Sequence, residues 1–272
     1  QTKQNRLLGV RRMRIFDSHC HLDDPCYDLD RQEVLQRARE AGVAAMMIVG
    51  TDRSSSDKAV RLAAEVKGCC ASVGVHPHDA RDCTDSVIAG LRKLALTDEV
   101  RAWGEIGLDF NRMYSPQADQ ERWFVRQLEV AREMNLALIF HERDSNGRFI
   151  ELLSAHAEAG LRGVIHCFSG SHEELARYLD FGLYVGITGI LTMKQRGAAL
   201  RDMVTIIPAE RLLVETDSPY LTPAPEKNHT RRNEPAFVRT VLLKLAEVRK
   251  ENPAVLAETI WNNTCRLYGL KT

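Results

Sequence analysis

The chain has 272 residues, 44% of them hydrophobic and 27% charged; that is an ordinary globular composition, in a length that suits an α/β barrel better than a typical small domain. Lys plus Arg equals Asp plus Glu, so the formal net charge is zero and no global positive field gathers a polyanion. No apolar run is long enough to span a bilayer, and seven cysteines without paired spacing read as the reduced thiols of a cytoplasmic protein, not as a disulfide framework.

Residues 1–12 are polar and basic and lack the apolar core of a signal peptide, so they read as an extension outside the fold, with 13–272 as a single domain. Arg14, Ile15 and Phe16 start a first strand, and His19 and His21 follow on alternate positions. Charged residues interleaved with Val34, Leu35 and Ala38 predict a helix over 30–41, ended by Gly42. The apolar run 43–49 predicts a strand covered on both faces. A helix over 54–67 follows, with serines available at its start, and then a strand over 69–75, a helix over 84–96 and a strand over 100–106. A long helix over 116–135 carries its proline at the start, where a missing N–H does little harm. The rest reads as strand 136–140, helix 145–159, strand 163–165, helix 171–181, strand 183–187, helix 197–207, strand 212–215 and helix 234–251. An extra C-terminal helix covers 253–268.

Eight strand–helix units in this length predict a parallel sheet closed as a (β/α)8 TIM-type barrel, with a doubly wound open sheet as the alternative. Barrel sites sit at the C-terminal ends of the strands. The polar residues at those ends are His19 and His21 after strand one, Glu105 on strand four, His141 after strand five, His166 after strand six and Asp217 after strand eight, with Glu215 two residues earlier. Each alone is as well explained by a hydrogen bond or ion pair. Four imidazoles and two carboxylates together are costly to bury without a cation, and their nitrogen and oxygen donors suit Mg, Mn or Zn. Six ligands exceed what one catalytic ion with an open position takes. Two divalent ions divide them: His19, His21 and Asp217 on one, His141 and His166 on the other, with Glu105 bridging and Asp217 accepting a proton from the attacking water.

The pieces Phe-Asp-Ser-His-Cys-His-Leu-Asp at 16–23, Gly-Val-His-Pro-His-Asp at 74–79, Gly-Glu-Ile-Gly-Leu-Asp-Phe at 104–110, Phe-His-Glu-Arg-Asp-Ser at 140–145, Ile-His-Cys-Phe-Ser-Gly at 165–170, Glu-Thr-Asp-Ser-Pro-Tyr-Leu at 215–221 and Arg-Arg-Asn-Glu-Pro at 231–235 run nearly end to end. Together they resemble the TatD family of metal-dependent deoxyribonucleases. The resemblance implies a TIM-type barrel, a divalent metal pair, phosphodiester hydrolysis of a DNA substrate with 3'-5' exonuclease-like action, and ligand roles for the same six residues. An amidohydrolase or esterase acting on a small molecule is the alternative; Glu105, where such enzymes often carry a modified lysine, favours the phosphoesterase.

Weaker expectations surround this set. His76 could touch a substrate phosphate, and His78 reads as a loop hydrogen bond. Arg143 could clamp a phosphate or pair with Asp144. Asp109 could order its loop or hold a ligand histidine. The helix start after Ser169 and Gly170 could receive an anion or simply be capped. Lys227, His229, Arg231 and Arg232 form a basic run suited to a DNA backbone, though such runs are usually solvated. Tyr114 and Tyr220 could stack on a base or pack. Cys20, alternating with the two histidines, reads as core filler. No obligate protein partner is evident, and a monomer is the default.

Overall fold

The computed structural model describes residues 13–156 and 160–271, so the expected extension over 1–12 and the last residues of the helix expected over 145–159 lie outside the described residues. Eight strands form one sheet in the order β1 (Ile15–Cys20), β2 (Val43–Val49), β3 (Cys69–Val73), β4 (Val100–Asp109), β5 (Ala137–Arg143), β6 (Gly163–Ile165), β7 (Tyr184–Ile187) and β8 (Leu212–Val214). A parallel bridge between Cys20 and Ser218 joins the end of β1 to the segment after β8. Helices follow the strands: α1 (Arg31–Glu40), α2 (Arg53–Glu65), α3 (Asp85–Leu94), α4 (Gln117–Glu133), α5 (Arg148–His156), α6 (His172–Asp180), α7 (Ala198–Met203), the single turn α8 (Ala224–Lys227), α9 (Val238–Arg249) and the extra C-terminal α10 (Pro253–Tyr268). This is the (β/α)8 fold of the TIM type. Among the described residues no helix is long and apolar enough to cross a membrane.

The chain forms two compact units. One comprises the residues up to Met47, Gly186–Arg266 and the last residues from Leu270; the other comprises Ile48–Val185 with Leu267–Gly269. In the first, Phe16 packs against Trp261 at 5.8 Å between ring centroids, and the Arg14 guanidinium covers the same indole. In the second, Phe124, Phe140, Phe149 and Tyr178 form a chain of ring contacts, and Trp103 is wholly buried with its indole N–H donating to Gln127.

Several boundaries differ from expectation, each for a local reason. Helix α2 is capped by Asp52 rather than by the serines; Ser55 completes a reciprocal capping box. Strands β4 and β5 extend three residues past their expected ends, so His141 and Arg143 lie within β5, paired with Gly107 and Asp109 of β4. Pro235–Phe237 form a short 3-10 turn before α9 rather than its first turn, and Glu234 ahead of it is extended, because Pro235 starts that turn. Short 3-10 turns also occupy Pro25–Tyr27, Pro77–Asp82 and Gly189–Thr192, which periodicity does not reveal.

Candidate active site

In the first unit the site is built by β1 and the segment after β8. His19 is fully buried, and Asp217 follows β8 in the left-handed region at φ +56°, which Asp tolerates better than most residues. Its backbone is held by an N–H bond to the His19 carbonyl at 2.9 Å, and His21 donates its N–H to Ser218 at 2.8 Å. Beneath them Asp17, also fully buried, accepts both the N–H and the hydroxyl of Thr216 at 2.8 and 2.6 Å. Burial pushes the Asp17 carboxyl up to about 8 against these hydrogen bonds. Ser18 reaches Glu215 at 3.1 Å. Glu215 has room because position 186 is glycine: an added Cβ there would lie 2.5–2.6 Å from three atoms of its carboxylate.

The outcome is a triangle of donors. Nε2 of His19 and Nε2 of His21 are 3.3 Å apart, and they lie 3.7 and 3.5 Å from Oδ1 of Asp217. Ligands at about 2.1 Å around a tetrahedral ion are separated by roughly 3.4 Å. The triangle therefore has the dimensions of three sides of a coordination sphere, and its imidazole–carboxylate composition fits a divalent cation.

In the second unit the residues come from β4, β5, the end of β6 and the turn after β3. Glu105 sits in a bulge of β4, where the register against β5 shifts between Trp103 and Ile106; bulges re-aim side chains in this way. Gly104 permits the close approach, since a Cβ there would lie 2.6 Å from the Ile139 carbonyl. The buried Glu105 carboxylate faces three imidazoles through Oε1: His141 Nδ1 at 2.9 Å, His76 Nε2 at 3.6 Å and His166 Nε2 at 3.9 Å. His141 turns its other nitrogen to Asp109 Oδ2 at 3.2 Å, and the same oxygen takes His78 Nε2 at 2.7 Å. Burial alone would depress the His141 pKa, but Asp109 and Glu105 outweigh it and raise it to about 9. Burial likewise opposes the charge on Asp109, yet hydrogen bonds from His141 and His78 hold it far below the ordinary carboxylate range.

His76 is oriented differently. Gln127 pins Val75 through both its backbone groups, and Nδ1 of His76 accepts the N–H of His78 at 3.1 Å. Burial, then the charge of His141, keeps the His76 pKa well below the usual imidazole value. A neutral His76 whose Nδ1 is an acceptor carries its proton on Nε2, which makes it a donor toward the Glu105 side.

The remaining expectations divide. Asp109 both orders its loop, accepting the N–H groups of Asn111 and Arg112, and holds His141. His78 makes the hydrogen bond expected of it. Asp144 accepts Asn111 instead of Arg143, and no ion pair engages Arg143 among the described residues. Arg231 is exposed. Arg232, expected at a DNA backbone, instead grips Asp30 with two guanidinium nitrogens at 2.8 and 2.5 Å and donates to the Cys26 carbonyl. The start of α6 is closed by the Ser171–Glu174 capping box, the capping reading of that helix start. Cys20 is buried, its thiol donating to the Met47 carbonyl. The clamp from Asp17 to Thr216 leaves a single trace in the sequence, an acid that interrupts an apolar strand.

Imidazole and carboxylate clusters at the C-terminal ends of parallel barrel strands define a class, the metal-dependent hydrolases of the TIM-barrel type. A family model described as TatD related DNase matches residues 16–269. The chain is 44% identical over 259 residues to a 3'-5' ssDNA/RNA exonuclease TatD of Pantoea ananatis, covering 94% of this chain and 100% of that one. It is 42% identical to the protein of the same description from Rahnella sp. (strain Y9602), covering 94% and 98%. The crystal structure of YJJV, a TatD homolog from Escherichia coli K12, superposes with a TM-score of 0.87 at 29% identity, covering 95% of this chain and 99% of that one. The chain belongs to the TatD family, and it is a divalent-metal-dependent hydrolase of phosphodiester bonds.

Proposed function

We propose that this protein is a 3'-5' exonuclease of single-stranded nucleic acid, acting in the cytoplasm with two divalent ions, of which Mg, Mn and Zn all suit the donors. The observation that carries the reading is the 3.3–3.7 Å triangle of His19, His21 and Asp217. Those three residues would hold one ion, and Glu105, His141 and His166 a second. Cations bound there would stabilise charge on phosphoryl oxygens and would lower the pKa of water so that hydroxide is available near neutral pH. Asp217 takes the proton of the attacking water, its backbone being fixed by the N–H bond to the His19 carbonyl and by the left-handed turn. His76, whose Nε2 proton faces the Glu105 carboxylate at 3.6 Å, would turn it to a phosphoryl oxygen when substrate is bound. Asp109 fixes the His141 ring, as a carboxylate behind a ligand histidine does. Arg143 and Arg231, neither held by an ion pair among the described residues, contact flanking phosphates. Arg232 already pairs with Asp30, so it is the weaker candidate for that role.

The test uses purified protein with magnesium or manganese and a single strand labelled at its 5' end. Stepwise shortening from the 3' end, abolished by chelator, is expected. Glu105→Ala should lower kcat/KM at least about 100-fold, more than loss of an outer partner typically costs, and should reduce the bound metal measured by mass spectrometry. Opening of a cyclic amide without strand cleavage would instead favour the amidohydrolase.

A further inference from the structure

Of eight Phe, six Tyr and three Trp side chains, only Tyr114 and Tyr220 are exposed, at 53% and 55%. Each stands edge-on to a histidine of one of the clusters described above. Tyr114 meets His78 with ring centroids 4.7 Å apart and planes at 68°; Tyr220 meets His21 at 5.9 Å and 67°. The other large exposed apolar side chains among the described residues, Leu29, Leu96, Met113, Ile206 and Val255, carry no ring.

Both tyrosines are carried on pinned backbone. The loop of Tyr114 is tied at one end by the Asn111 and Arg112 N–H groups on Asp109. At the other end the Ser115 hydroxyl donates to the His78 carbonyl at 2.7 Å, and Gln120 donates to the Ser115 carbonyl at 2.9 Å. Tyr220 donates its N–H to the Asp217 carbonyl at 2.9 Å, and its own carbonyl accepts from Asn233 at 2.6 Å. Holding a large apolar ring in water, without folding it into the core, forgoes the stabilisation that burial would give. A fixed ring beside groups that handle a phosphodiester suits a planar, uncharged partner of the kind a nucleobase provides.

We infer that Tyr114 and Tyr220 are base-stacking platforms, one in each unit, that bind unpaired bases of a single-stranded substrate without reading their sequence. The inference rests on the nuclease reading above and adds a determinant of substrate class to it: a duplex end would have to fray before its bases reached either ring, and a small phosphate ester without a base would gain nothing from them.

Steady-state cleavage of a single strand with natural bases, compared with the same strand carrying abasic residues at its three 3'-terminal positions, tests this. Tyr114→Ala and Tyr220→Ala should each raise KM for the natural strand at least about fivefold, the low end of base–aromatic stacking, with kcat within about twofold. Tyr114→Phe and Tyr220→Phe should restore KM, because the ring and not the hydroxyl carries the contact. On the abasic strand at least one alanine penalty should vanish, since the partner of that ring has already been removed. Wild-type KM in both alanine variants, or penalties that persist undiminished on the abasic strand for both, would overturn the inference while leaving the nuclease reading intact. Failure of the wild-type protein to cut any single strand with magnesium or manganese would overturn both.

Discussion

Arg232 shows how a single side chain can be drawn away from a surface role. Its guanidinium lies on the Tyr27 ring, grips Asp30 and donates to the Cys26 carbonyl, while Arg37 makes a bidentate pair with Glu234 two residues further along. Arg232, through its hydrogen bonds, holds Asp30 below the ordinary carboxylate range. A lowered carboxylate pKa contributes stability that is present above the unfolded-state value, about 4, and is lost as pH falls through the folded-state value. Arg232→Ala is therefore expected to lower stability by about 1 kcal/mol at pH 7, since partly exposed pairs are worth no more than that. The gap from wild type should narrow on acidification below about pH 4, which urea titrations at the two pH values would read. Its cleavage kinetics should keep the wild-type salt dependence. The motif Arg-Arg-Asn-Glu-Pro is visible in the sequence, but the role of Arg232 is not, because its partner lies 202 residues away.

At the scale of strands and helices, side-chain alternation and strand–helix periodicity identify where His19, Glu105, His141, His166 and Asp217 stand. They do so because the C-terminal end of a strand is defined by the helix that follows it. The bulge that turns Glu105 toward three histidines is not legible this way, since a register shift belongs to a pair of strands and the sequence shows one at a time. The same holds for Asp109, whose imidazole partners come from β5 and from the turn after β3. Strand β7 makes a sharp demand of its own at position 186. Gly186→Ala would drive a methyl into the Glu215 carboxylate, and an overpacked buried site of this kind costs about 1–3 kcal/mol. A lowered melting temperature is expected, together with weaker metal retention on dialysis, because Glu215 adjoins Ser18 and so the strand carrying His19. A variant that keeps wild-type stability would show that the carboxylate has room to move.

For the whole molecule, the balance of 37 basic and 37 acidic residues matters more than any one patch. A nuclease without net positive charge has no long-range field to draw in a polyanion, so capture depends on few contacts. With Arg143 and Arg231 as the phosphate-binding cations, log kcat/KM for a single strand should fall against log salt with a slope of roughly −1.4, about −0.7 for each phosphate neutralised. A slope steeper than about −4 would mean that a larger basic surface takes part than these two side chains.

The buried Asp17, bonded to Thr216 across 199 residues of chain, has a consequence for synthesis on the ribosome. His19 and His21 emerge early, but their carboxylate companion follows almost a whole chain later, which at about 5–20 residues per second is a delay of roughly 10–40 s. Until then the third corner of the triangle is missing, so the 3.3–3.7 Å arrangement of donors exists only in the finished protein.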